Sequence, residues 1–361
     1  MQGIELTVGT YTGGPNQTRG IGRAWASADG ATLESRGQVT PFADPSWLVR
    51  GGNAPAGGEL LYAVDEGPVG RIAAFADHGA GWFEPLGEAM PTGGAEPCYA
   101  ALVGGGRFLA VANYGDTDDR GSLSLHRIEP DGSVGGQTHL AAFEGRGPHP
   151  QRQTGPHAHM VRESPDGRYI LAVDLGTDSI RTFVLDPEQG SLEQVARSSF
   201  RPGFGPRHLV FHPAGGYAYV IAELGFTVAA CTYDAERGEF SVLGEVPVLE
   251  NGVSGEDFPS GIVISADGRF LYTANRGRDE LLTFSLADPA KPERISTLPI
   301  GGAWPRDIAL SPDGTLLLSA NQRSDAITVF RLDPATGVPA PTGASMNVFA
   351  PACLLMREIE G

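Results

Sequence analysis

Two histidines separated by a single residue, His157 and His159, are the side chains of this sequence best suited to proton transfer. Imidazole is neutral near pH 7 and can take a proton from water there. Residues two apart on a strand point to the same side of the sheet. A His-x-His pair can also ligate a metal ion, with Glu223 or Asp174 as third ligand. Nothing in the spacing requires a metal, so none is predicted.

The histidines belong to a repeat that begins with proline. A proline, a polar or small residue and then apolar residues recur at intervals of 46 to 59 residues, starting at Pro45, Pro97, Pro156, Pro206, Pro259, Pro305 and Pro351. Alignment on this proline gives an apolar residue at the place of His159 in the other repeats: Leu48, Ala100, Leu209, Ile262, Ile308 and Leu354. A histidine in an apolar column is either a buried residue whose ring nitrogens are hydrogen-bonded within the fold or a functional residue. Both interpretations stay open.

Each repeat continues with further strand patterns, and the repeats predict the fold. The first strand is followed by a turn, often Ser-x-Asp-Gly, and then by a second strand such as Phe108–Val111 or Tyr169–Val173. Asp-Gly between apolar runs is a strong hairpin signal. Four strands per repeat of this length are typical of a β-propeller. We predict an all-β, seven-bladed propeller of four-stranded antiparallel blades, with residues 1–361 as a single domain.

Both ends of the chain contribute to one predicted blade. Leu6–Tyr11, Gly20–Ser27 and Thr32–Thr40 supply the second, third and fourth strands, and Pro351–Met356 supplies the first. Pairing of the two ends would close the propeller. Because a closed ring of blades has few free edges, a monomer is the expected state.

The alternation of strand direction predicts which residues share a face. The start of each first strand and the end of each second strand lie on one face, and the Asp-Gly turns lie on the other. Loops on one face near the centre are the usual place for a small-molecule site. The residues placed there are Ser46, Cys98, His157, Arg207, Ser260, Arg306 and Ala352, with Asp65, Glu66, Asn113, Tyr114, Asp174, Glu223, Asn275, Arg276, Asn321 and Gln322.

Charge and composition exclude several other classes of protein. The chain has 43 acidic and 26 basic residues, a net charge of −17, and no basic stretch, which argues against nucleic acid or an anionic membrane as partner. Its 3 cysteines are far apart, the N-terminus lacks a signal-peptide pattern, and no apolar run could span a bilayer. We expect a cytoplasmic protein.

The single lysine and the absence of Gly-x-Ser-x-Gly and Gly-x-Gly-x-x-Gly motifs predict no cofactor.

The motifs resemble, in order and along the whole chain, those of the seven-bladed β-propeller lactonases of the bacterial 6-phosphogluconolactonase type, which are related to carboxy-cis,cis-muconate cyclases. The residues that carry this resemblance are Val8–Thr12, Leu61–Glu66, Ala112–Tyr114, Gly155–His159, Ser164–Tyr169, Asp174–Asp178, Gly205–His208, Phe211–Pro213, Glu223, Leu224, Asp267–Tyr272, Asn275–Gly277, Pro305 and Arg306. The sequence departs from the family pattern at Asp65, where Asn is frequent, at Pro259–Ile262, and in a longer polar insert, Gly115–Gly121.

The resemblance implies a catalytic set and a substrate. It implies His157 or His159 as base, with Arg207, Glu223 and Arg276 as catalytic partners; the positions on the same face add Arg306, Asn275, Asn113, Tyr114 and Glu66 as substrate-binding candidates. The implied reaction is hydrolysis of a small anionic sugar lactone, 6-phosphoglucono-δ-lactone of the pentose phosphate pathway. Two alternatives stay open: a cycloisomerase that closes a muconate-type dicarboxylate, and a non-catalytic propeller that binds a small anionic ligand or a protein.

Overall fold

The computed structural model describes residues 3–13, 19–79, 81–115, 121–249 and 256–359. The core of the polar insert, 116–120, lies outside the described residues. The strands are β1 Gly3–Thr10, β2 Gly20–Ser27, β3 Leu33–Pro41, β4 Leu48–Asn53, β5 Glu59–Asp65, β6 Arg71–Asp77, β7 Glu84–Pro91, β8 Pro97–Val103, β9 Phe108–Asn113, β10 Ser122–Ile128, β11 Val134–Ala142, β12 Ala158–Glu163, β13 Ile170–Asp174, β14 Ser179–Asp186, β15 Ser191–Ser199, β16 Pro206–Phe211, β17 Tyr217–Ala222, β18 Thr227–Asp234, β19 Glu239–Pro247, β20 Phe258–Ile264, β21 Phe270–Arg276, β22 Glu280–Ser285, β23 Glu293–Pro299, β24 Pro305–Leu310, β25 Leu316–Asn321, β26 Ala326–Leu332, β27 Pro339–Asn347 and β28 Pro351–Ile359. Within the described part of the chain the only helix is a 3₁₀ turn, η1 Gln322–Ser324.

These strands form seven four-stranded sheets, and the predicted seven-bladed propeller is confirmed. The sheets follow the chain in groups of four: β4–β7, β8–β11, β12–β15, β16–β19, β20–β23 and β24–β27. The remaining sheet has the order β28-β1-β2-β3, so it combines strands from both ends of the chain, as predicted. In it Leu6 is paired antiparallel with Met356 and Val8 with Leu354.

The described residues form two compact units. The first contains residues 1–41, 208–232 and 242–361, and the second contains 42–207 and 233–241. The prediction of a single domain stays a prediction. In the first unit, Leu6, Leu318 and Leu354 belong to one apolar core cluster. In the second, Phe108 and Val161 belong to another. Burial of such alternate apolar residues is the main term that stabilises packed sheets.

The Ser-x-Asp-Gly segments are turns, as predicted. The Ser164 hydroxyl donates to Asp166 Oδ1 at 2.6 Å, and the same bond recurs from Ser265 to Asp267 at 2.6 Å. Gly167 follows with φ 71°, a left-handed conformation that glycine adopts without the steric cost of a side chain. The aspartates therefore serve local hydrogen bonding, and no chemistry is assigned to them.

Candidate active site

The start of the first strand of a blade lies beside the end of the second strand, as predicted. Pro97 is paired with Asn113, Ala158 with Asp174 and Pro305 with Asn321. The candidate residues at these strand ends therefore lie at one edge of each sheet. They fall in both compact units, and the two sets are described separately.

His159 does not occupy the apolar column that the proline alignment assigns to it. In its sheet Ala158 is paired with Asp174 and Met160 with Val173, so His159 is the extra residue of a β-bulge. Cys98 and Arg306 lie at the corresponding bulges of their own sheets. The apolar column belongs to Val161, which is fully buried in the core.

The position of Pro156 explains why alignment on proline misplaces His159. In this blade the proline of the repeat, Pro156, lies two residues before the place that Pro97 occupies in the preceding blade, so alignment on proline shifts the column by two residues. His157 therefore precedes β12, and the two histidines are not alternate residues of a regular strand. A bulge redirects the side chain of the extra residue, and bulges are frequent next to active sites.

His157 is buried, and its ring is oriented by Tyr114. His157 Nδ1 lies 2.9 Å from the carbonyl oxygen of Tyr114. Because a carbonyl only accepts, Nδ1 carries the hydrogen, and the neutral imidazole has its lone pair on Nε2. The Tyr114 ring stacks on the imidazole, with centroids 4.3 Å apart and planes at 16°. The Nδ1 hydrogen bond and the stacked ring therefore fix both the tautomer and the orientation of the imidazole.

Asp174 holds the backbone of His157. Its Oδ1 accepts hydrogen bonds from the backbone N–H groups of His157, Gly176 and Thr177 at 2.9, 3.1 and 3.2 Å. Its Oδ2 accepts from the Thr177 hydroxyl at 2.5 Å and from Arg181 Nε and Nη2, both at 3.1 Å. With both oxygens engaged in this way, Asp174 is an anchor rather than a metal ligand. No group of three metal-ligating side chains occurs among the described residues.

His159 adjoins the Tyr114 ring, and Cys98 lies beside His159. The His159 imidazole meets that ring edge-on, with centroids 5.6 Å apart. Cys98 Sγ lies 3.8 Å from His159 Nδ1 and 3.5 Å from the Ala158 carbonyl. Arg152, which the sequence did not single out, donates from Nη2 to the Tyr114 hydroxyl at 3.2 Å. The second unit therefore gathers two imidazoles and a guanidinium around one tyrosine.

In the first unit, Glu223 and Arg276 form a buried ion pair. Arg276 Nη2 lies 2.6 Å from Glu223 Oε2, and Arg276 Nε donates to the Phe258 carbonyl at 3.0 Å. The side chains are only 6% and 2% exposed. The guanidinium carbon lies 5.6 Å from the ring centroid of Phe258 and 5.4 Å from that of Trp304. This geometry holds a permanent positive charge in a fixed place.

The other predicted residues occupy different environments. Arg207 is buried in β16. Arg306 is half-buried, with its guanidinium 4.8 Å from the Tyr11 ring. Glu66 is half-buried, and its backbone N–H donates to the Asp44 carbonyl at 3.1 Å.

The two asparagines proposed for substrate binding are fully buried. The amide of Asn113 donates to the Ser122 hydroxyl at 3.1 Å, and that of Asn275 donates to Asp257 at 3.2 Å. Both amides therefore tie strand ends to their neighbours. Their contact with a substrate stays a prediction.

The fold agrees with the comparisons with known proteins. The chain belongs to the family described as Lactonase, 7-bladed beta-propeller, whose family model matches residues 5–356.

Individual relatives cover nearly all of the chain. The 6-phosphogluconolactonase of Bacillus subtilis is 31% identical over 353 residues, 96% of each chain. The structure of a periplasmic gluconolactonase from Pseudomonas aeruginosa is 32% identical, covers 98% of both chains and has a TM-score of 0.89. A protein from Lactobacillus plantarum is 29% identical, covers 100% of both chains and also has a TM-score of 0.89. Family membership and the names of these relatives support a lactone hydrolase.

Proposed function

We propose that this protein hydrolyses the ester bond of a sugar-acid lactone, with 6-phosphoglucono-δ-lactone as substrate and 6-phosphogluconate as product. The observation that carries the proposal is the hydrogen bond of 2.9 Å from His157 Nδ1 to the Tyr114 carbonyl. It fixes the tautomer in which Nε2 carries the ring lone pair, which is the form of imidazole that acts as a base in lactone hydrolysis. The family and the activity in the name of the Bacillus subtilis relative support the same reaction.

The proposed reaction begins with water. His157 Nε2 takes a proton from the water as its oxygen bonds to the lactone carbonyl carbon, and the electron pair of the C=O bond moves to the carbonyl oxygen. Arg207 and Arg276 are proposed to stabilise this oxyanion or another anionic group of the substrate. When the C=O bond re-forms, the bond to the ring oxygen breaks, and the imidazolium returns its proton to that oxygen. The acid product then ionises and releases one proton per turnover.

Glu223 and His159 are proposed to support these groups. Glu223 holds Arg276 through the 2.6 Å ion pair, which fixes the direction in which the remaining guanidinium N–H groups point. His159 meets the edge of the ring that stacks on His157. This proposal makes His157 the base and His159 the residue that keeps its stacking partner in place.

The test is acid release, followed with a pH indicator, on freshly prepared 6-phosphoglucono-δ-lactone. His157→Ala should lower kcat by about 10²- to 10⁴-fold, the usual contribution of a general base, and His159→Ala should have a smaller effect. His78→Ala, at an exposed histidine that pairs with Glu84, is the matched control and should leave the rate unchanged. A larger loss in His159→Ala than in His157→Ala would reverse the assignment of the base.

Wild-type protein with no rate above spontaneous hydrolysis, on this lactone and on gluconolactone, would overturn the lactonase proposal, and muconate-type acids would be tested next.

A monomer and a cytoplasmic location stay predictions. Among the described residues no helix is long and apolar enough to cross a membrane. Gel filtration with light scattering would test the monomer.

A further inference from the structure

Trp304 has an unusual backbone conformation for a large side chain. It directly precedes Pro305 and has φ 62°. The residues before the repeat prolines Pro45, Pro97, Pro206 and Pro351 also have positive φ, but they are Asp44, Glu96, Gly205 and Ala350. A bulky residue with positive φ is strained, and such strain persists where the surrounding structure holds it and is concentrated at functional sites.

Several hydrogen bonds hold Trp304 in place. Its N–H donates to Asp279 Oδ1 at 2.6 Å, and its carbonyl accepts from the Gln322 N–H at 3.0 Å. The preceding residue, Ala303, donates its N–H to the Ser324 hydroxyl at 2.9 Å and accepts from the Arg323 N–H at 3.1 Å. Three of these bonds join the backbone of Ala303 and Trp304 to the 3₁₀ turn η1, so these two segments are fixed relative to each other.

Arg323 lies flat on this indole. Its guanidinium carbon is 3.3 Å from the ring centroid of Trp304, and the residue is exposed to solvent. None of the ion pairs found in the described part of the chain includes Arg323, although the chain carries 43 acidic residues. By contrast, Arg276 pairs with Glu223 and Arg278 with Asp257. Arg323 thus keeps its hydrogen-bond donors for a group that comes from solution.

A guanidinium stacked on an indole has a fixed plane, and the N–H groups at its edge remain free to bind. Paired N–H donors in one plane match two oxygens of a phosphate, and stacking removes part of the entropy that a mobile arginine would lose on binding. The same indole lies 5.4 Å from the guanidinium of Arg276, so an anion on Arg323 would be one aromatic ring away from Arg276.

We propose that Trp304 and Arg323 form a subsite for the phosphate group of a phosphorylated lactone; this rests on the proposed role of Arg276 at the reacting end of that lactone. The net charge of −17 repels a phosphorylated substrate at long range, so its binding must come from local positive charge. An unphosphorylated lactone gains nothing from Arg323. The subsite therefore confers preference for the phosphorylated substrate.

The experiment compares KM and kcat for 6-phosphoglucono-δ-lactone and gluconolactone in wild-type protein and Arg323→Ala. The loss of hydrogen bonds to a charged group should raise KM for the phosphorylated lactone about 10- to 100-fold and leave kcat within about twofold. KM for gluconolactone should not change. Arg323→Lys, which keeps the charge but not the paired donors, should be intermediate. Arg237→Ala removes the same charge from an exposed turn and should match wild type.

Isothermal titration calorimetry with inorganic phosphate gives a readout that does not depend on catalysis. Wild-type protein should bind phosphate, and Arg323→Ala should bind it at least about tenfold more weakly. An equal rise of KM for both lactones, an unchanged KM for the phosphorylated one, or equal phosphate affinity in both proteins would overturn the subsite. Absence of all lactone hydrolysis in wild type would instead overturn the proposed function, and the titration would still decide whether phosphate binds at Arg323.

Discussion

The surroundings of His157 and those of Arg276 handle charge in opposite ways. Around His157 the contacts include a backbone carbonyl and an aromatic face, which define the tautomer and the orientation of the imidazole. Around Arg276 the contacts include a carboxylate, two backbone carbonyls and two aromatic rings, which hold a permanently charged guanidinium in place. Transfer of a proton needs a group whose charge can change, whereas binding of an anion needs one whose charge cannot.

The difference also separates function from stability. A buried ion pair gains little over apolar residues of the same shape, because desolvation of two charges offsets their attraction. The Glu223–Arg276 pair is therefore weak evidence of a stabilising role, and its proposed role is to bind an anion. The His157 ring is held without a buried counter-charge, since its Nδ1–H donates to a backbone carbonyl.

The largest expected effect comes from breaking the ion pair on one side only. Arg276→Met leaves the Glu223 carboxylate buried without its cation and should lower the free energy of unfolding by about 3–5 kcal/mol, with loss of lactonase activity. The double variant Glu223→Leu/Arg276→Met should recover most of the stability and none of the activity. Urea unfolding and the acid-release assay measure the two effects. A double variant as unstable as Arg276→Met would show that the pair itself stabilises the fold.

His126, in contrast to His157, is a buried histidine for which no role in the reaction is proposed. His126 is fully buried in β10, and burial lowers its pKa to about 4, an effect that a backbone contact with Gly135 partly offsets. The unfolded chain binds a proton near pH 6.5, so between pH 6.5 and 4 the unfolded state holds more protons, and stability falls as the pH falls.

His126→Leu should remove this dependence. The difference between a pKa near 6.5 and one near 4 corresponds to about 3 kcal/mol of stability lost by wild type across that range. Urea unfolding at pH 7.5 and pH 4.5 should show a smaller loss in His126→Leu than in wild type. Equal losses in both proteins would mean that other groups cause the acid sensitivity.

Asp174 provides a smaller test of the His157 surroundings. Asp174→Asn keeps an oxygen for the backbone N–H of His157 but removes the charge that Arg181 faces, so it should cost about 2 kcal/mol, in the range of hydrogen bonds to charged groups. The kcat should fall less than tenfold. Arg181→Met should cost a similar amount, and the double variant should cost less than the sum, because the two residues interact directly. Strict additivity of the two costs would contradict this account.

The repeat pattern in the sequence predicts the strands because apolar alternation recurs from unit to unit and an Asp-Gly turn follows the first strand in three of them. The blade formed by the two ends of the chain follows from the same pattern, and β28 pairs with β1 as predicted. The register of His159 did not follow from it. A β-bulge depends on how two strands pair, and Pro156 imitates the repeat two residues too early.

Trp304 and Arg152 were not predicted from the sequence for the same physical reason: their roles depend on contacts that only the folded chain makes. Trp304 was not singled out because its role depends on a backbone dihedral angle and on stacking with Arg323, which is distant from the proline motif. Arg152 lies in a loop with no repeated pattern, and only the three-dimensional structure brings it to the Tyr114 hydroxyl.

Conversely, Asn113 and Asn275 lie at the predicted strand ends, yet both are fully buried. Strand-end position shows which edge a residue lies on but not which way its side chain points.

We expect the smallest effect from a change at Asp65. This residue and Asp174 lie at the same place in their sheets, the end of the second strand. Asp174 accepts from backbone and guanidinium donors, whereas Asp65 lies near Asp44. Burial, and then the Asp44 charge, raise the pKa of Asp65 to about 6, against a weaker opposing effect of Arg71. The folded state then binds more protons than the unfolded state between pH 3.8 and 6, so the folded state loses stability as the pH rises through that range.

Asp65→Asn should therefore stabilise the protein at pH 7.5 by about 1 kcal/mol, a value reduced from the full linkage figure because Asp65 is partly exposed. At pH 4 the carboxyl is already protonated in the folded state, and the gain should nearly vanish. Urea unfolding at the two pH values measures this, and the difference between variant and wild type isolates Asp65 from His126, which titrates in an overlapping range. A gain of the same size at both pH values would mean that Asn stabilises by packing or hydrogen bonding, and that the Asp44 charge has no measurable effect on Asp65.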